Sequence, residues 1–254
     1  MRPGRAERAE RLAPFFEVQL RFAARMSELT GRPLGEAAMH YTHIHRRLAL
    51  GIPGFVPVSD AWRAYAARIE GAADVAGQVA ATKAAYIAAA DEVWPLSGQF
   101  GAGCFAHEPP KPDGSVKIHF YNLDTDDVGG PLASAKLERR RADLTALTRH
   151  IVETHPDAER IVGRSWLYNL EAYRRLFPPD YAASRVPAST PVHLTGTSSW
   201  GQLIDSREQV RSDVRDTLIA RLPELDPDAP WRVFPFQLFE VEAPVESFRR
   251  HFGV

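Results

Sequence analysis

Two hydrophobic periods divide this chain, and the change between them near residue 96 limits the architectures open to it. Upstream, apolar residues return every three or four positions, the spacing that lines one side of a helix. In residues 8–30, Leu12, Phe15, Phe16, Phe22, Ala23 and Met26 form such a stripe, and Gly31 with Pro33 supplies the stop. A second helix is predicted from about Pro33 to Leu50. A third starts after Ser59, a good N-cap, and buries Trp62, Tyr65 and Ile69. The alanine-rich run after Gly71 has high helix propensity up to Trp94, before Pro95.

Downstream the period shortens. Gln99–His107 is glycine-spaced, and Ser115–Tyr121 alternates, with Val116, Ile118 and Phe120 on one face and Lys117, His119 and Tyr121 on the other. The prolines and Asp113-Gly114 between them favour a reversal, so a hairpin is predicted. A long helix follows over 131–155, then a strand over 160–167 and a short helix over 170–177. A short strand is expected over 192–195. Ser206 with Gln209 reads as a capping box opening a helix that buries Val210, Val214 and Leu218. Trp231–Val241 reads as a strand, and Pro244 starts a C-terminal helix carrying Val245, Phe248 and Phe252. The expected architecture is α+β, with a helical N-terminal lobe (1–95) and a mixed α/β domain (96–254).

At 254 residues, with 44% hydrophobic and 25% charged, the chain can build a core without disulfides or a structural metal. Cys104 is the only cysteine, which excludes an internal disulfide and suits a reducing compartment. A formal net charge of −1 provides no basic field for nucleic acid. No apolar run approaches the roughly 18 residues of a membrane span. A cytoplasmic protein taking a small-molecule substrate, with no nucleic-acid or membrane partner, is therefore expected.

Several clusters carry candidate chemistry. His40, His43 and His45 suggest a metal, but helical spacing puts His45 on the apolar stripe and the other two on the opposite face, so no metal is expected. Asp124, Asp126 and Asp127 lack the spacing of a calcium loop and read as a solvated turn whose charge favours the next helix. The glycines of 98–103 enter a strand, where a nucleotide fingerprint would open a helix. Cys104 reads as core. His119 and Tyr121 share the polar hairpin face and suit acid–base work if that face lines a cleft. Arg140 and Arg141 flank the stripe of Leu137, Leu144 and Ile151; either they cover apolar surface or one meets an anion. Ser165, Trp166 and Tyr168 lie where a strand leads into a helix, a common ligand position in open sheets. Ser165 can equally cap that helix, and Tyr168 can be core.

Ile118-His119-Phe120, then Gly130-Pro131-Leu132 opening a helix, then Ser165-Trp166-Leu167 form an order that resembles the C-terminal region of bacterial GNAT-type acyltransferases. The similarity covers roughly residues 116–185. It implies an α/β fold and an acyl-CoA donor. The usual pyrophosphate loop of that family is missing after Tyr121, where acidic residues stand instead. In this reading His119 is the base and Tyr121 or Tyr168 the acid, with Arg140, Arg141 and Ser165 toward the cofactor. The alternative is a non-catalytic ligand- or protein-binding α+β protein, presenting Phe15-Phe16 and Trp62-Tyr65 to a partner.

Overall fold

The computed structural model describes residues 4–54, 56–90, 98–188 and 192–254. The chain is an α+β protein. In chain order it forms helices α1 (Arg5–Thr30), α2 (Leu34–Tyr41), α3 (Ile44–Arg47), α4 (Asp60–Glu70) and α5 (Val75–Ala88). Strands β1 (Phe100–Ala102), β2 (Phe105–His107) and β3 (Ser115–Phe120) follow, then α6 (Leu137–Thr154) and β4 (Arg160–Ser165). Next come α7 (Glu171–Arg174), α8 (Pro179–Ala183), β5 (Val186–Pro187), α9 (Thr197–Trp200), α10 (Ser212–Arg221), β6 (Phe239–Pro244) and α11 (Val245–Phe252). The division into two compact units is not a single cut. Met1–Glu92 groups with Thr190–Phe236, and Val93–Ser189 groups with Gln237–Val254. The predicted boundary near residue 96 and the predicted helix end at Trp94 lie outside the described residues.

The first unit is helical. The predicted stripe of α1 is fully buried, and Phe22 meets Trp200 edge-on at 5.2 Å. The helix predicted over 33–50 is interrupted at Thr42–His43. The buried Gln19 explains the break, because its Oε1 accepts from the His43 N–H at 2.7 Å in place of a helical carbonyl. Ser59 caps α4 as predicted, its hydroxyl accepting from the Trp62 N–H. The predicted strand over 192–195 does not form. The capping box at Ser206 does not form either: the Asp205 carboxylate takes the N–H groups of Arg207 and Gln209, a local turn that outcompetes helix initiation. The helix therefore starts only at Ser212.

The second unit carries a six-stranded sheet of order β1-β2-β3-β4-β6-β5. β3 and β4 are parallel and joined by α6, the long connection that parallel neighbours require, and the other pairs are antiparallel. The strand predicted over 231–241 runs instead from Phe239 to Pro244, since Pro230–Val233 winds into a 3-10 turn. Val116, Ile118, Ile161, Val241 and Ala243 face one side, where Leu144, Leu147 and Ile151 of α6 and Phe248 of α11 complete the core. Burying one such side chain contributes about 1.5–3 kcal/mol. Alternation therefore sends Lys117, His119, Val162, Arg164, Glu240 and Glu242 to the opposite, polar face.

Candidate functional site

The site is built from the hairpin outward. Register sets Ala106 beside His119, and the Glu108 N–H donates to the Lys117 carbonyl at 2.9 Å. Glu108 thus stands next to His119 on the polar face, and His119 Nε2 lies 2.7 Å from Glu108 Oε1. A carboxylate only accepts, so Nε2 carries a proton, and in the neutral form of the ring the lone pair is on Nδ1. This hydrogen bond is the main reason the Glu108 carboxyl titrates below its ordinary range, with Lys117 adding a smaller pull and burial opposing both. The Tyr121 ring lies nearly parallel to His119 at 6.2 Å, and its hydroxyl donates to Gln99 Oε1 at 2.6 Å. His119 and Tyr121, expected to act together, are neighbours.

The second feature is a gap. The parallel ladder between β3 and β4 pairs Ser115, Val116 and Lys117 with Arg160, Ile161 and Val162, and stops there. Ile118–Phe120 and Gly163–Ser165 keep their outer partners, β2 and β6, but no longer pair with each other. His119 and Arg164 stand on the two banks of this divergence, on the same face of the sheet. Arg164 Nε lies 3.2 Å from Glu240 Oε1.

The other predicted site residues are engaged elsewhere. Tyr168 is 1% exposed in the core, and its hydroxyl bonds that of Tyr181 at 2.8 Å. Burial drives its phenol well above the usual range. The Tyr168 and Tyr181 hydroxyls occupy the space that a side chain at Gly163 would need. Ser165 caps the turn that follows β4, accepting from the Leu167 N–H at 3.1 Å. Arg141 is at the surface beside Glu138.

Arg140 is buried and committed to carboxylates, with Nη2 2.9 Å from Asp124 Oδ2 and Nε 3.0 Å from Asp143 Oδ2. Its Nη1 also meets the Cys104 sulfur. The acidic turn is exposed at Asp126 and Asp127, as predicted, while Asp124 is half-buried and anchored to α6. Lys136, 3% exposed, holds both Asp124 and Asp126. Burial would raise the Asp124 pKa, but Lys136 and Arg139 outweigh it and hold that carboxyl low. Asp143 is pushed up by burial, and so is the Cys104 thiol, although Arg140 opposes both shifts.

The three histidines near residue 43 are separated by the break after α2. His40 is exposed, His43 is buried, and His45 bonds the Gly51 carbonyl and packs on Trp62. Among the described residues no set of three His, Cys, Asp or Glu side chains could hold a metal ion. Phe15, Phe16, Trp62 and Tyr65, expected on a partner-binding face, are at most 3% exposed.

Sequence reasoning missed Glu108, Gln99 and Arg164. Glu108 was accessible in principle, because pairing the strands across the 109–114 turn brings it beside Lys117 and His119. Arg164 follows from alternation along β4. The stop in pairing between β3 and β4 left no sequence signal. No helix among the described residues is long and apolar enough to cross a membrane. Compared with known proteins, the chain matches no protein-family model, no curated protein and no solved structure.

Proposed function

We propose that this protein is an acyl-CoA-dependent acyltransferase that acylates an amine of a small molecule. The observation that carries the reading is the divergence of β3 from β4 with His119 on its bank. Parallel strands that part expose backbone N–H and C=O groups that a ligand with amide groups can pair as a third strand would. The thioester arm of coenzyme A is such a ligand. Ligands of open sheets lie beyond the carboxyl ends of the strands, which is where this gap opens.

In the reaction the amine nitrogen attacks the thioester carbonyl, a C–N bond forms, and the C–S bond breaks. Nδ1 of His119 takes the proton from the amine, and Glu108 steadies the resulting imidazolium through Nε2. The departing thiolate takes the Tyr121 hydroxyl proton once that hydroxyl leaves Gln99, and the proton held on His119 then restores Tyr121. Of the two arginines expected for the anionic group of the donor, Arg141 remains at the surface, while Arg140 serves the half-buried carboxylates of Asp124 and Asp143.

Free thiol released from acetyl-CoA in the presence of an amine panel tests the proposal. Release should require an amine and fall by about 10²–10⁴-fold in His119→Ala, the range for loss of a general base. Amine-dependent release unchanged in that variant would reject His119 as the base. No release with any acyl-CoA would reject the activity.

A further inference from the structure

Behind Glu108, on the helix-covered side of the same sheet edge, three imidazoles meet. His107 ends β2 and is 2% exposed. Its Nδ1 lies 2.8 Å from the Glu108 carbonyl, and its Nε2 lies 2.9 Å from Nδ1 of His150 on α6. A carbonyl only accepts, so Nδ1 of His107 carries the proton, Nε2 is the acceptor, and His150 donates. The His150 ring stacks on Phe100 of β1, with centroids 3.5 Å apart and planes within 5°. His155, just past α6, stands edge-on to His107 at 5.4 Å.

A first proton can go to Nε2 of His150, which leaves its Nδ1 donating to His107, but a second has no such place. A proton added to Nε2 of His107 would point at the N–H of His150, and the bond between β2 and α6 would become a repulsion. The surrounding elements offer a cation little relief. β1 contributes Phe100, and the Glu108 carboxylate of β2 is turned to His119 on the other face. On α6, Glu153 favours a charged His150, but burial and then His155 outweigh it and hold His150 below the ordinary value. Burial likewise lowers His107; the Glu108 carbonyl opposes this, while His150 and His155 reinforce it.

We propose that His107 and His150 form an acid-released latch that fastens the β1–β2 hairpin to α6. Acidification opens the latch and loosens the segment that carries Gln99 and Glu108. The latch stands on its own geometry; only its consequence for His119 rests on the acyl-transfer reading. The sign follows from linkage. Imidazoles depressed in the closed state bind protons more tightly once released, so closure is favoured above the free value of 6.5 and weakens as pH falls below it.

Hydrogen exchange of the Phe100–His107 amides in the full chain, corrected for the intrinsic pH effect, tests this together with imidazole ¹⁵N shifts. Between about pH 7.5 and about pH 5, opening should rise about tenfold per pH unit for each proton taken up, once below the free histidine value. Both rings should be neutral at pH 7. His150→Phe keeps the stack on Phe100 and should lower the pH slope; His107→Phe combined with it should abolish the slope. If the double variant does not fold, the single variant and the wild-type shifts still decide the matter. Exchange independent of pH in the wild type would overturn the latch. So would an undiminished slope in His150→Phe, or a charged His107 at neutral pH. Loss of the latch with acyl transfer intact would separate it from the catalytic reading.

Discussion

Nε2 of His119 donates to the Glu108 carboxylate across 2.7 Å, and the two residues come from antiparallel strands whose register makes them neighbours. The pair leaves one imidazole nitrogen with its lone pair toward the polar face. Glu108 is therefore a positioning residue: it fixes the tautomer and stabilises the charge that forms on His119. Glu108→Gln should lower the turnover of amine acylation by less than His119→Ala does. Neither substitution should cost more than about 0.5–1 kcal/mol in a denaturant melt, because both side chains are part-exposed and outside the core.

The same bond has a pH signature in stability. His119 holds the Glu108 carboxyl below its free value of 4.5, so the stabilisation is present above that value and is lost as pH falls through the depressed one. Wild type should exceed Glu108→Gln in Tm at neutral pH, and the difference should shrink below about pH 4. Parallel melts across that range check it; a difference that grows on acidification would contradict the assignment.

Tyr168 separates a structural role from a catalytic one. Tyr168→Phe leaves the Tyr181 hydroxyl without its partner in the core, at a cost of about 1–3 kcal/mol, and should leave acyl transfer unchanged. Gly163→Ala should destabilise by about 1–3 kcal/mol, because its methyl group would overlap both tyrosine hydroxyls. Urea unfolding of the two variants reads both costs.

Asp124 neutralises two buried cations, Lys136 and Arg140, which are 3% and 2% exposed. Asp124→Ala should cost about 1–3 kcal/mol, below the range for an uncompensated buried charge, because Asp126 still faces Lys136 and Asp143 still faces Arg140. The exposed pair of Arg141 with Glu138 should contribute less than about 1 kcal/mol when broken, and a melt of Glu138→Ala supplies the comparison.

Periodicity carried much of the fold. The stripe of α1, the Ser59 cap, the hairpin faces and the start of the C-terminal helix follow from local spacing, and all four appear in the structure. Elements decided by partners far along the chain were less legible. Gln19 breaks the helix at His43 from 24 residues away, and the buried Lys136 and Arg140 anchor one carboxylate of a surface loop, Asp124. The site divides in the same way. His119 and Tyr121 could be read from alternation along one strand. Their partners Glu108 and Gln99 required the hairpin register, and the gap beside them required knowing where β3 stops pairing with β4.

The most direct test of the acyl-CoA reading is a thermal melt of the purified chain with and without acetyl-CoA and longer acyl-CoAs. Donor at about 100 times its Kd should stabilise the fold by about 2.7 kcal/mol. For a chain of this size that corresponds to a rise in Tm of about 5–10 °C. A saturable, dose-dependent rise is the predicted result, and an unchanged Tm at millimolar donor would contradict the account.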